Sequence, residues 1–300
     1  MRSKQTASRP RNCLLMNSRI KLMTNPVEEE VEEVREEIVP GVARALSPMA
    51  RRILAMNPGP RTGLGTNTYM VGIDEIAVID PGPNDQGHLD SIIGCGGELI
   101  RWILVTNADE DHAGAVPELA KQTGAIVMAM CDIDCDVVLK DGQQLVGTEF
   151  RLTTKHLPGP SAKNVGFMLE EERMLISGDL IIDGPSVGLN APPDGDMAAY
   201  MTSLESLRKL RLKRIAPAHG YVIEEPKTVV QEYIAHRVAR EAAILDALGS
   251  DTLRVEDVIE AVYGEVDEDM AELAANNVLA HLIKLRTDGK VKGQKNFTAV

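Results

Sequence analysis

Nine residues limit this chain more than any others: Thr106-Asn107-Ala108-Asp109-Glu110-Asp111-His112-Ala113-Gly114. They follow the apolar run Ile103-Leu104-Val105 and precede the amphipathic segment Ala115 to Gln122, so they read as a loop between a buried strand and a helix. Side chains in such a loop converge at the C-terminal end of the strand. Asn107, Asp109, Glu110, Asp111 and His112 put four oxygen-bearing side chains and an imidazole within six residues, where a structural turn needs only one or two. The density points to a metal site, although Asp and Asn are also ordinary turn and helix N-cap residues.

Two later stretches bear on that choice. Ser177-Gly178-Asp179 ends a second apolar strand and Pro217-Ala218-His219-Gly220 a third, so three strand ends offer ligands. In these residues the chain resembles the metallo-β-lactamase fold superfamily. That family places H-x-H-x-D-H after a strand, another His in a Pro-Gly-His turn, an Asp in a Ser/Gly-Asp turn and a last His in a Gly-His-Gly-like turn, together holding two metals. The match is partial. Asn107 and Asp109 stand where the first two histidines would be, and in His156-Leu157-Pro158-Gly159-Pro160 the third is replaced by Pro160.

The resemblance therefore implies a missing three-histidine site and a surviving second one, with Asp111, His112, Asp179 and His219 as ligands and Asp109 able to swing in. It implies one divalent metal ion, Zn, Fe or Mn. Three carboxylates and two imidazoles form a harder donor set than three histidines. Asp111, as ligand and water orienter, and Asp179, as ligand or general base, are the catalytic candidates. His156 is not expected to substitute for the lost ligand, because in the family a His often precedes Thr-Pro-Gly without touching metal.

The three hundred residues exceed the usual span of one domain. Hydrophobic residues make up 44% and aromatics only 3%, so the core must be built from Leu, Ile, Val, Ala and Met. A formal net charge of −13 disfavours loose binding to nucleic acid or an anionic membrane. Cys13, Cys95, Cys131 and Cys135 are dispersed; Cys131 and Cys135 have suggestive spacing, but no second pair completes a zinc set, and reduced thiols are expected. No apolar run approaches the roughly 20 residues of a membrane span, and the start has no apolar region long enough for a secretory peptide. The cytoplasm is the expected compartment.

Residues 1–36 read as a disordered tail: Arg2, Lys4, Arg9, Arg11, Arg19 and Lys21 come without an acid, and Glu28 to Glu37 is nearly solid carboxylate. Met23 is a candidate start. Residues 37–225 form the expected catalytic domain. Asn57-Pro58-Gly59-Pro60, Gly65-Thr66-Asn67-Thr68-Tyr69 and Ile79-Asp80-Pro81-Gly82 read as opening hairpins, and such motifs recur in one branch of the family, where Asp80 commonly lies behind the metals; a plain turn role is the alternative. Asp183 to Asp196 is a Gly- and Pro-rich loop of the kind that shapes a pocket, and Met197 to Leu210 an amphipathic helix. The fold expected from the resemblance is α+β, a four-layer αββα sandwich.

Residues 226–300 contain three helical patterns, Lys227 to Leu248, Val255 to Val262 and Asp267 to Leu285, then Asp288-Gly289-Lys290-Val291. Three helices, a Gly turn and a basic strand describe a winged helix. Tyr233, His236 and Arg237 with Arg240 and Glu241, and Ala280-His281-Leu282 with Leu285 and Gly289, resemble the β-lactamase-like protein 2 branch, in which this small domain follows the catalytic one; His236 and His281 are read as packing or surface residues. The branch includes single-strand RNA nucleases, but the acidic balance and scarce aromatics weaken an RNA partner. The expected function is metal-dependent hydrolysis of an ester, thioester, lactone or phosphodiester, with a small-molecule substrate rather than RNA, no membrane partner, and a homodimer compatible with the reading. The alternative is an inactive binding or assembly protein, since Pro160 can ligate nothing through its side chain.

Overall fold

Strand alternation sets the architecture of the computed structural model, which describes residues 37–184, 187–266, 268–294 and 296–300. The expected tail and the Met23 start lie outside the described residues. The first sheet runs β1 (Arg44–Ala45), β2 (Ala50–Leu54), β3 (Asn67–Val71), β4 (Ile76–Ile79), then, after helix α1 (Gln86–Gly96), β5 (Ile100–Val105), and, after α2 (Glu110–Ala113) and α3 (Val116–Thr123), β6 (Ile126–Ala129) and β7 (Val137–Val138). Its strands lie in chain order, antiparallel from β1 to β4 and parallel from β4 to β7. The switch falls where hairpin connections give way to helical crossovers, as parallel pairing requires.

The second sheet contains β8 (Gln144–Val146), β9 (Arg151–His156), β10 (Val165–Leu169), β11 (Met174–Gly178) and, after α4 (Met197–Arg208), β12 (Arg214–Pro217), in the order β12-β11-β10-β9-β8. Only its β11–β12 pair is parallel. The chain ends in α5 (Pro226–Leu248), β13 (Leu253–Arg254), α6 (Val255–Tyr263), α7 (Glu268–Thr287), β14 (Val291–Gly293) and β15 (Asn296–Ala299).

Odd and even positions of one strand serve different layers. Tyr69, Val71, Ala77 and Ile79 face Phe167, Ile176 and Ala216 of the other sheet, whereas Met70, Val78 and Ile103 pack outward on Leu89, Ile92 and Leu119 of α1 and α3. On the far side, Met168, Leu175 and Ile215 pack on Leu204 and Leu207 of α4 and on Val230 and Tyr233 of α5. The layers are therefore helix, sheet, sheet, helix, as expected. Aspartates start two of the covering helices: Asp85 accepts from the His88 amide before α1, and Asp196 from the Ala198 and Ala199 amides before α4.

Ile38 to Val300 form one compact unit, and α5 is the reason the division near Pro226 is not a clean seam. Val230 and Tyr233 complete the core beside the second sheet, while Ile244 and Leu248, about three to four turns further on, pack with Val258, Val278, Leu282 and Phe297 of the C-terminal part. There a three-stranded sheet, β13-β15-β14, closes over α6 and α7 as the wing. Among the described residues no helix is long and apolar enough to cross a membrane.

Candidate metal centre

The strand ends of both sheets meet along one edge of the sandwich. Asn67 stitches them together: its amide Nδ2 donates to Pro217 O at 3.0 Å and to Gly220 O at 2.9 Å, and the Tyr69 hydroxyl donates to Pro217 O at 2.7 Å. Gly178 lets the end of β11 approach the end of β5. Its φ is +54°, and a Cβ there would lie 2.7 Å from Thr106 Oγ1, so only glycine fits. The next residue, Asp179, is thereby delivered to His112.

Two imidazoles form the centre. His112, fully buried on α2, lies with Nε2 3.1 Å from Asp179 Oδ2 and 3.6 Å from Asp111 Oδ2. His219, 6% exposed after β12, lies with Nε2 3.3 Å from Asp179 Oδ1 and 3.5 Å from Asp111 Oδ2. The rings stand at 86° with centroids 5.7 Å apart. Ligand atoms of Asp111, His112 and His219 all fall within 4.8 Å of one another, and no other such set of three metal-binding side chains occurs among the described residues.

What lies behind the imidazoles fixes which nitrogen faces inward. His112 Nδ1 is 2.9 Å from Asp80 Oδ2, and that carboxylate also accepts from the Thr106 amide at 2.8 Å and the Thr106 hydroxyl at 2.7 Å. His219 Nδ1 is 3.1 Å from Gly65 O, which can only accept. Both Nδ1 atoms therefore carry a proton, and both Nε2 atoms are aimed at the centre, where each takes either an ion or a second proton. His112 Nε2 and Asp179 Oδ1 are buried without a hydrogen-bond partner. Inward Nε2 atoms, orphaned polar atoms and mixed N and O donors fit a divalent ion.

The electrostatics reflect the same crowding. Burial pulls the His112 pKa down, but the charges of Asp179 and Asp80 outweigh it and leave it well above the ordinary histidine value. Burial likewise opposes protonation of His219, and the Asp179 carboxylate beside it raises its pKa on balance. Burial pushes Asp179 up, yet the His112 charge and the closeness of both imidazoles hold it well below the usual carboxylate range. Asp109, at the cleft wall, is raised by partial desolvation within the cleft and by the Asp179 charge.

The positions expected to have lost their histidines are occupied differently. Asn107 Nδ2 donates to Asp179 Oδ2 at 3.1 Å, and its Oδ1 accepts from the Asp109 amide at 2.9 Å, so both ends of the amide are committed. Asp109 is exposed and, like Pro160, lines the cleft above the centre; it is not within the compact Asp111, His112 and His219 set. His156 is exposed, with Nε2 2.9 Å from Ala162 O, away from the cluster. The thiols of Cys95, Cys131 and Cys135 are free, and burial pushes Cys131 up to about 11.

Sequence reasoning gave no role to Thr66 or Asn57. Thr66 Oγ1 donates to Asp111 Oδ2 at 3.0 Å. Asn57 holds Thr66 in turn, accepting from its amide at 2.9 Å and donating to its hydroxyl at 3.0 Å. The Asn57 and Thr66 motifs were visible, but nothing local tied them to a residue 45 positions further on.

The whole arrangement floors a cleft of about 1060 Å³, bordered by Arg61 and Leu64 on one loop, Asn190 and Asp194 on the loop after Asp183, and Met270 on α7.

Comparison with known proteins bears on the fold and the family. The profile described as "Metallo-beta-lactamase superfamily" matches residues 67–231, and that described as "Beta-lactamase associated winged helix domain" matches 255–297. The chain is 30% identical over 289 residues to the beta-lactamase-like protein 2 homolog of Drosophila melanogaster, covering 86% of this chain and 94% of that protein. It is 32% identical over 272 residues to an atrochrysone carboxyl ACP thioesterase of Aspergillus chevalieri, covering 84% and 85%. Among solved structures, a beta-lactamase domain protein from Burkholderia ambifaria superposes with a TM-score of 0.79 at 16% identity, covering 89% of this chain and 96% of that one. This chain belongs to the metallo-β-lactamase superfamily and ends in a β-lactamase-associated winged helix.

Proposed function

We propose that the protein is a metal-dependent hydrolase with one divalent ion, Zn, Fe or Mn, held by Asp111, His112, Asp179 and His219. The observation that carries this reading is the pair of inward Nε2 atoms, each backed by an acceptor on Nδ1 and each facing Asp111 and Asp179. A core histidine kept for packing has no need of such backing. The ion supplies Lewis acidity and acidifies water.

The side chains divide the remaining work. Asp80 and Gly65 O hold the two imidazoles in the tautomer that presents Nε2. Asp179 stays ionised, which suits a ligand, and the Asn107 amide keeps its Oδ2 oriented. Asp111 is 27% exposed at the cleft; Thr66 holds its Oδ2, and the carboxylate serves as ligand and water orienter. Asp109 sits at the cleft wall outside that compact set, and would become a further ligand only by swinging in. A thioester or ester of a small molecule is the favoured substrate, supported by the relative named a thioesterase; a lactone or phosphodiester is the wider class.

The test is element-resolved metal content of full-length protein purified without chelators, beside Asp111→Ala and His219→Ala, followed by an ester, thioester, lactone and phosphodiester panel. A single equivalent lost in both variants, with hydrolysis lost on chelation, is the expected result. Hydrolysis that survives chelation or Asp111→Ala rejects the reading.

One observation favours a second reading. Asn107 spends its amide on Asp179 and the Asp109 backbone, and Pro160 offers no donor, so with Asp109 three of the seven ligand positions of the family pattern lack the histidine expected there. On that reading the protein is an inactive binding or assembly module, and a chain that takes up no Zn, Mn or Fe(II) supports it.

A further inference from the structure

Above the polar floor, the cleft wall combines charged side chains such as Arg61, Lys163 and Asp194 with a group of apolar ones. Leu64 comes from the opening loop, Ile182 and Val187 from the segment after Asp179, and Met270 and Leu273 from α7. Leu64 is 49% and Met270 40% exposed. Large apolar groups left open around a concavity above polar residues are the composition of a site for an amphipathic small molecule.

The contact between α7 and the loop is built into both. A Cβ on Gly188 would lie 2.2 Å from Leu273 Cδ1, so the loop backbone and Leu273 approach as closely as glycine permits. Arg237 of α5 is 2% exposed. Its Nη2 donates to Val187 O at 2.6 Å, its Nη1 to Asn277 Oδ1 of α7 at 3.1 Å, and its Cζ lies 5.2 Å over the Tyr200 ring. The Leu189 amide donates to the same Asn277 oxygen at 3.3 Å. Burying a guanidinium is costly unless acceptors and an aromatic face replace water, and here those partners belong to the loop, α4 and α7.

We infer that α7 is the specificity wall of this cleft: Met270 and Leu273 bind the apolar acyl or aromatic part of the substrate, and Arg237 is the positioning residue that fixes the wall. The winged-helix part thus contributes to substrate choice through its own side chains. This deepens the hydrolase reading and rests on it, while the wall can be tested by binding alone.

The experiment measures kcat and KM of the metal-loaded full chain on acetyl, decanoyl and naphthoyl thioesters of N-acetylcysteamine. It compares wild type with Met270→Ser, Leu273→Ser and Arg237→Lys, and with the exposed α5 control Val238→Ser. In Met270→Ser and in Leu273→Ser the preference for decanoyl over acetyl should fall about ten-fold, from lost apolar contact. Val238→Ser should keep the wild-type preference. Arg237→Lys should raise KM for the two large substrates more than for acetyl, whereas general loosening of the fold would lower kcat on all three. A preference unchanged in both Met270→Ser and Leu273→Ser overturns the proposal. If wild type hydrolyses none of the three, the thioester preference fails and the wall is read by calorimetric binding of naphthol, a neutral probe. Binding weakened about ten-fold by Met270→Ser supports the wall; binding that is equal, or absent in wild type, overturns it.

Discussion

Asp80 Oδ2 lies 2.9 Å from His112 Nδ1 although 32 residues separate them. Asp80 holds a φ of +51°, a left-handed conformation that Asp tolerates better than most residues, and this turn aims the carboxylate across the end of β5. Asp80→Asn weakens the acceptor and removes the charge that keeps His112 oriented. Losing such an outer partner typically costs 10- to 100-fold in metal affinity, so competition with a chromogenic chelator should show a loss of about that size with the fold retained. Unchanged affinity would reduce Asp80 to a turn residue.

Thr66 and Asp111 make the second prediction. Thr66→Val keeps the shape and deletes a neutral-to-charged hydrogen bond of 3.0 Å, worth about 1.5–3 kcal/mol. Metal affinity should fall by one to two orders of magnitude, about the same free energy, with Thr66→Ser recovering most of it. Equal affinity in Thr66→Val would show that Asp111 needs no support.

Gly178→Ala should be among the costlier single changes. The new methyl meets Thr106 Oγ1 at 2.7 Å and Cβ at 2.8 Å in a backbone with φ +54°, so strain and overpacking act together at a cost of roughly 2 kcal/mol or more. Urea unfolding should show the lower midpoint, and metal affinity should drop with it because Asp179 moves with its neighbour.

The acid limb of stability should contain a contribution from His88. The Thr68 hydroxyl donates to Asp80 O at 2.7 Å, so His88 Nε2 donates to Thr68 at 2.8 Å, and the ring is 3% exposed. Burial lowers its pKa from 6.5 to about 4, against a smaller upward pull from Asp85. Unfolded chains therefore bind the proton first as pH falls. This stability is complete above pH 6.5 and is lost as pH drops toward about 4. His88→Gln retains an N–H donor without the titration, so its melting temperature, measured in chelator, should fall less steeply across that window. Parallel slopes would mean that His88 is not held neutral.

Removing the ion should destabilise the chain. A ligand that binds only the folded state adds about 4 kcal/mol at a thousand-fold excess over its dissociation constant. Chelation should lower the melting temperature by several degrees, and His112→Ala should show no such chelator effect. A wild-type melting temperature indifferent to chelator and to added Zn, Mn or Fe(II) counts against the site.

Sequence alone determined the strands and helices, because those signals are local, while the layer order and the candidate centre were expected from the resemblance that the strand-end residues carry. Buried strands alternate, α4 opens on Asp196, and Asp111, His112, Asp179 and His219 sit at the ends of apolar runs. The wing was equally legible from three helical patterns and Gly289. Tertiary structure decided how those residues are held. The bonds of Thr66 to Asp111, Asn107 to Asp179 and Arg237 to Val187 span 45, 72 and 50 residues, and no spacing rule reaches so far. The position of Met270 and Leu273 in the cleft was hidden for the same reason. A helix of the C-terminal part reaches the cleft only because α5 joins two cores and Gly188 admits the Leu273 side chain, which are properties of packing in three dimensions and not of any local pattern.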